Sequence, residues 1–130
     1  MVKRMVRATI SAIIFAGLAG CAAERPERYI ELDGNETVGL WVGQTVRVEM
    51  EANPTTGYMW RTQGDPEGVV RQKGKYRYVR RSDAIGAGGK QVYRYLAVKQ
   101  GKTSIVFEYI RPWEPDAEPA KRYVLGIIAH

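Results

Sequence analysis

An alternation of apolar and polar side chains with period two recurs from Tyr29 almost to the C-terminus. In "TVRVEME", Val46, Val48 and Met50 alternate with Arg47, Glu49 and Glu51. Tyr93, Tyr95 and Ala97 alternate with Arg94 and Leu96, and Ile105, Phe107 and Tyr109 with Val106, Glu108 and Ile110. Tyr123, Leu125 and Ile127 continue the pattern at the far end. Such spacing turns every second side chain to one face of a strand, so one face is buried and the other is not. Turn formers separate the runs: "DGNE" from Asp33, "GDPEG" from Gly64, "GAGG" from Gly86 and "KQGK" from Lys99. No segment carries a helical stripe, and there is no internal repeat. Seven to eight short strands predict an all-β sandwich or a small barrel, with Trp41 and Trp60 in its core.

The first twenty residues read differently. Lys3, Arg4 and Arg7 make a basic start, Ala8 to Leu18 is apolar, and "LAGC" closes the segment at Cys21. This is the layout of a secretory signal, too short to span a bilayer, which takes about 20 apolar residues. "LAGC" resembles the bacterial lipobox. The resemblance implies that Cys21 is diacylated and becomes the new N-terminus, and two or more chains are what stable anchoring requires. The alternative is a plain signal peptide with an incidental cysteine. Residues 1–20 are then a lipoprotein signal peptide, 21–28 a short tether and 29–130 the folded domain. Ala22 stands where some bacteria use aspartate to retain lipoproteins in the inner membrane. The expected location is therefore the bacterial cell envelope, lipid-anchored, at the outer membrane facing the periplasm.

A chain of 130 residues has room for one domain. Cys21 is the only cysteine, so no intramolecular disulfide can form and the domain folds on its core alone. His130 is the only histidine, and there is no cluster of metal-ligating residues. Enzyme chemistry would have to rest on carboxylates such as Glu108, Glu114, Asp116 or Glu118, and no spacing singles them out. Neither a catalytic centre nor a cofactor is expected. The net charge is +6, falling to +3 without Lys3, Arg4 and Arg7, which is too mild for a nucleic-acid partner. "KGKYRYVRR", Lys73 to Arg81, reads as the solvated face of a strand, with anionic lipid or an acidic partner as the alternative.

Three loops stand out. "NPTTGY" runs from Asn53 to Tyr58 between two strand patterns. Pro54 fixes its own φ and keeps Asn53 extended, Gly57 can supply a positive φ, and Thr55 and Thr56 are stiff at χ1. The result is either a structural turn or a projecting loop held ready for a partner at low entropic cost. "GAGG", Gly86, Ala87, Gly88 and Gly89, bares backbone that could pair with another chain's extended segment, or it is a flexible hairpin. "RPWE" places Arg111, Pro112 and Trp113 at a strand end, and Arg and Trp are the side chains most enriched at binding hot spots.

Taken in order and with their separations, these three motifs resemble those of the chagasin-like inhibitors of cysteine peptidases, over roughly Val38 to Ala129. The resemblance implies an immunoglobulin-like β-sandwich that acts as a monomer, without a cofactor, as a reversible competitive inhibitor of papain-like cysteine peptidases. It implies a wedge of three loops, with Thr55 and Thr56 nearest the enzyme's catalytic cysteine. Gly86 to Gly89 would pair with one side of the cleft, and Arg111 and Trp113 would pack on the other. A non-inhibitory envelope lipoprotein that binds the cell wall through a β-sandwich is the competing reading.

Overall fold

The computed structural model describes residues 25–130, so the signal segment and Cys21 lie outside the described residues. Nine strands form two sheets: β1 (Arg28–Glu31), β2 (Glu36–Leu40), β3 (Thr45–Ala52), β4 (Met59–Thr62), β5 (Val70–Gln72), β6 (Arg77–Arg80), β7 (Gly89–Ala97), β8 (Gly101–Ile110) and β9 (Lys121–Ala129). The first sheet runs β1-β3-β7-β5, with β6 also on β7, and the second runs β2-β9-β8-β4. β1 lies parallel to β3 and β2 parallel to β9, while the remaining pairs are antiparallel. The only helical element among the described residues is a single 3-10 turn at Pro54–Thr56.

This is the expected sandwich, with nine strands where seven to eight were anticipated. One extra element comes from a bend. β5 and β6 both pair with β7, at opposite ends of it, because the chain leaves that edge at Lys73 to Tyr76. Another is β1, whose first residue, Arg28, is the last of the expected tether.

The alternating runs supply the two inner faces. Val46, Val48 and Met50 of β3 and Tyr93, Tyr95 and Ala97 of β7 are buried, and meet Ile105, Phe107, Leu125 and Ile127 from the other sheet. Trp60 is fully enclosed, packed between Tyr109 and Tyr123 at centroid distances of 4.8 Å. Trp41 corrects the expectation of a core residue. It lies past the end of β2, 48% exposed, because the turn to β3 carries it off the inner face.

Two polar clasps hold the layers. Gln91 of β7 points inward and is only 2% exposed. Its amide accepts from the Trp60 N–H at 3.0 Å and donates to the Trp60 C=O at 2.9 Å. β4 pairs with β8 alone, so without this side chain the Trp60 N–H on its open edge would be buried and unsatisfied, and the Trp60 C=O would keep only the Tyr93 hydroxyl, which donates to it at 3.2 Å. At the other end Asp65 accepts from the N–H groups of Glu67 and Val70 at 2.8 and 2.9 Å, from Val69, and from the Thr103 hydroxyl of β8. Burial pushes the Asp65 carboxyl up, but these hydrogen bonds outweigh it and hold the group below its ordinary value.

Both clasps give expectations for equilibrium unfolding. Gln91→Leu nearly keeps the volume, strands the buried Trp60 N–H and leaves the Trp60 C=O to the Tyr93 hydroxyl alone, so it should cost about 2 kcal/mol in urea titrations. A lowered carboxyl pKa adds stability that is present above the unfolded value and lost as pH falls through the folded one. Stability of the wild type should therefore drop below about pH 4. Asp65→Asn should be less stable at neutral pH and should lack that part of the acid dependence.

Candidate functional site

Strand register alone places the three loops together. Ala52, the last residue of β3, pairs with Gly89, the first of β7, so the "NPTTGY" loop leaves the first sheet beside the glycine loop. Met59, the first residue of β4, pairs with Ile110, the last of β8, so the same loop enters the second sheet beside "RPW". The "NPTTGY" loop thus bridges the sheets at one end of the sandwich, flanked by the other two.

Asn53 organises the centre. Its extended backbone caps the 3-10 turn, and its side-chain oxygen accepts from the Thr55 N–H at 3.1 Å and the Thr55 hydroxyl at 2.6 Å. The Asn53 carbonyl accepts from the Thr56 N–H at 3.0 Å and the Thr56 hydroxyl at 2.7 Å. Its N–H donates to the Tyr109 hydroxyl at 3.1 Å, and its amide nitrogen reaches across to the Gly86 carbonyl at 3.2 Å. Both threonine hydroxyls are therefore spent within the loop. That is why two β-branched hydroxyl residues stand side by side there: they lock the turn while both remain exposed.

Gly57 closes the turn with φ +86° and donates its N–H to the Pro54 carbonyl. The Trp113 indole lies directly over it, so that a Cβ at Gly57 would come within 2.3 Å of the ring. Trp113 remains 66% exposed, with one edge resting on the loop and the rest turned outward. Tyr58 stacks on Tyr109 at 5.2 Å and carries the Arg111 guanidinium 4.6 Å from its ring centre. Arg111 also approaches Glu114 at 3.5 Å, across the short turn that contains Pro112 and Trp113.

On the other flank the glycine loop is less free than its composition implies. Arg81 donates its N–H to the Gly88 carbonyl at 3.0 Å and its guanidinium to the Ala87 carbonyl at 3.2 Å, and it pairs with Glu51 at 2.9 Å. Gly89 leaves no room for a side chain, because a Cβ there would sit 2.1 Å from the Val79 carbonyl. Between this loop and the "NPTTGY" loop lies an open recess of about 300 Å³, lined by Pro54, Thr55, Tyr78, Arg80, Ile85 and Gly86 among others. The Ile85 side chain is fully exposed at its rim.

All thirteen expected loop residues fall at this end. Four contributors were not anticipated: Tyr109, Gln91, Arg81 and Ile85. Tyr109 and Arg81 carried signals that read as core strand and solvated strand. Gln91 occupies an inward position of the period-two run that continues through Tyr93 and Tyr95, and a polar residue there is a readable sign of a buried hydrogen bond.

Known proteins resemble this chain in sequence and in fold. Residues 39–127 match the model of the chagasin family peptidase inhibitors, I42. The chain is 26% identical over 99 residues to chagasin of Trypanosoma cruzi, covering 72% of this chain and 89% of that protein. It is 32% identical over 90 residues to amoebiasin-1 of Entamoeba histolytica, covering 67% and 84%. Among solved structures, a cysteine protease inhibitor of Entamoeba histolytica superposes with a TM-score of 0.67 at 20% identity, over 79% of this chain and 95% of that one. PbICP-C, solved in complex with falcipain-2, superposes with a TM-score of 0.59 at 21% identity, over 79% and 99%. The fold and the relatives are those of protease inhibitors and not of enzymes, and the chain belongs to the chagasin family of cysteine peptidase inhibitors.

Proposed function

We propose that this protein inhibits papain-like cysteine peptidases reversibly and competitively, by seating its three loops in the active-site cleft. The observation that carries this reading is the hydrogen-bonded continuity of the loops, in which Asn53 ties the central turn to Gly86 and Trp113 rests on Gly57. A wedge that is already ordered loses little entropy on docking. Thr55 and Thr56 at its tip face the catalytic cysteine. Gly86, Ala87, Gly88 and Gly89 lend backbone to one wall of the cleft, and Arg111, Pro112 and Trp113 pack on the other, with Tyr58 beneath them.

Resistance to cleavage follows from the same turn. A peptidase attacks a carbonyl held in near-attack geometry within an extended segment. Here the chain is curled into a 3-10 turn, and the carbonyls of Asn53 and Pro54 are both engaged by hydrogen bonds inside it. The inhibitor fills the cleft and offers no aligned bond. We infer also that Cys21 is lipidated and holds the domain at the bacterial outer membrane, facing the periplasm. The "LAGC" match and the position of the only cysteine support this.

Inhibition assays against papain, a cathepsin-type enzyme and trypsin test the function. Papain and the cathepsin should be inhibited competitively, and trypsin not at all. Trp113→Ala should weaken inhibition by on the order of 2 kcal/mol, roughly thirtyfold, because it removes the exposed aromatic anchor. Gly57→Ala should weaken it comparably by displacing the indole, while Thr55→Ala should cost less, since Pro54 and the Thr56 hydrogen bonds remain. Full activity of every papain-like enzyme at micromolar wild-type protein would overturn the reading in favour of an envelope-binding module. For the anchor, metabolic labelling with a fatty acid should mark wild type and not Cys21→Ser, and equal labelling would refute lipidation.

A further inference from the structure

The end of the sandwich opposite the three loops carries a surface that peptidase binding does not use. Trp41, Val42 and Val98 are exposed there by 48%, 44% and 42%. Backbone hydrogen bonds hold them together. Val42 N–H donates to the His130 carbonyl at 3.0 Å and Gly43 N–H to the carbonyl of Ala97, the neighbour of Val98, at 2.8 Å. The Trp41 indole lies between the Arg25 guanidinium, 4.3 Å from its ring centre, and the His130 imidazole at 5.5 Å.

Cations rim this apolar centre. Lys73 reaches the Thr45 hydroxyl at 3.4 Å, at the start of β3, and Lys99 and Lys102 are exposed in and after the turn that contains Val98. Among the described residues, Arg25, Lys73, Lys99 and Lys102 form no ion pair. On adjoining segments, Asp65 is engaged by its hydrogen bonds and Glu27 pairs with Arg94 at 2.7 Å, so neither neutralises these cations. An indole flanked by small apolar groups and ringed by lysines matches the lipid headgroup region. Tryptophan settles there, lysine stems lie along the apolar layer and their ammonium groups reach anionic headgroups.

The chain path points the same way. The Pro26 carbonyl accepts from the Gln44 side chain at 2.9 Å, and β1 runs parallel to β3 from Arg28 opposite Val46, so the chain enters the domain at this end. Arg25 follows Cys21 by four positions, at most about 14 Å of extended chain. The eight residues of β3 then carry the fold about 26 Å from this end to the inhibitory loops.

We propose that this end seats on an anionic bilayer, with Trp41, Val42 and Val98 among the headgroups. The three loops then point away from the membrane into the aqueous space. The proposal rests on the anchor reading for Cys21, and the experiment separates the two. The chain has three tryptophans, of which Trp60 is in the core and Trp113 stands at the loop end. Protein extracted from membranes is reconstituted in phosphatidylglycerol-containing vesicles with brominated acyl chains, and tryptophan emission is recorded. Wild type should be quenched, Trp113→Phe should be quenched as much, and Trp41→Phe should lose most of the effect. The pair Lys99→Glu and Lys102→Glu, with circular dichroism confirming the fold, should reduce quenching roughly twofold or more. No quenching of anchored wild type, or quenching carried by Trp113, would overturn the orientation. The mass of the Cys21 peptide reports acylation separately. If Cys21 proves unacylated, the anchor reading falls, and the same quenching pattern is expected after the thiol is coupled to a maleimide lipid.

Discussion

β4 leaves the "NPTTGY" loop and pairs with only one neighbour, so the N–H and C=O of Trp60 face an open edge inside the molecule. The Gln91 amide closes on both, substituting a side chain for the missing strand. Gln91 sits two residues into β7, just past the glycine loop, and Trp60 sits two residues past Tyr58. A single buried amide therefore fixes the spacing between two of the loops. In a low-dielectric interior such a pair of hydrogen bonds is directional in a way that apolar packing is not. The core below supplies cohesion, and the amide supplies register between the sheets.

The loops themselves are ordered by a different means. Their contacts are local and polar at the centre, where Asn53 uses its side-chain oxygen, side-chain nitrogen, N–H and C=O at once. They are aromatic on one flank, where Tyr58 stacks on Tyr109 and carries Arg111, and Trp113 lies over Gly57. On the other flank one arginine, Arg81, grips a glycine-rich backbone that has no side chains of its own to hold it. Each flank is stiffened by residues outside the motif that marks it.

The two ends of the sandwich carry different side chains. Antiparallel pairing of β3 with β7 sends their connections to opposite poles, so the loop end and the end where the chain enters cannot be neighbours. An inhibitor tethered by its N-terminal segment would on this topology present its wedge outward. The basic stretch from Lys73 to Arg81 is divided accordingly: Lys73 belongs to the entry end, and Arg81 to the loop end.

Strand content was legible in the sequence because a two-sheet sandwich imposes period two, and the inner faces repeat Val46, Val48, Met50 and Tyr93, Tyr95, Ala97 as the alternation predicts. The three motifs were legible because proline, glycine and tryptophan constrain a loop wherever it sits. Alternation, however, reports which side chains share a face and says nothing of which strand lies alongside. The bridging place of the "NPTTGY" loop depends on the Ala52–Gly89 and Met59–Ile110 pairings, which join residues distant in the chain. The exposure of Trp41 and the pairing of Arg81 with Glu51 depend likewise on partners that only folding brings near. Local chemistry is written residue by residue, whereas the completion of a hydrogen bond between remote residues is decided by tertiary structure.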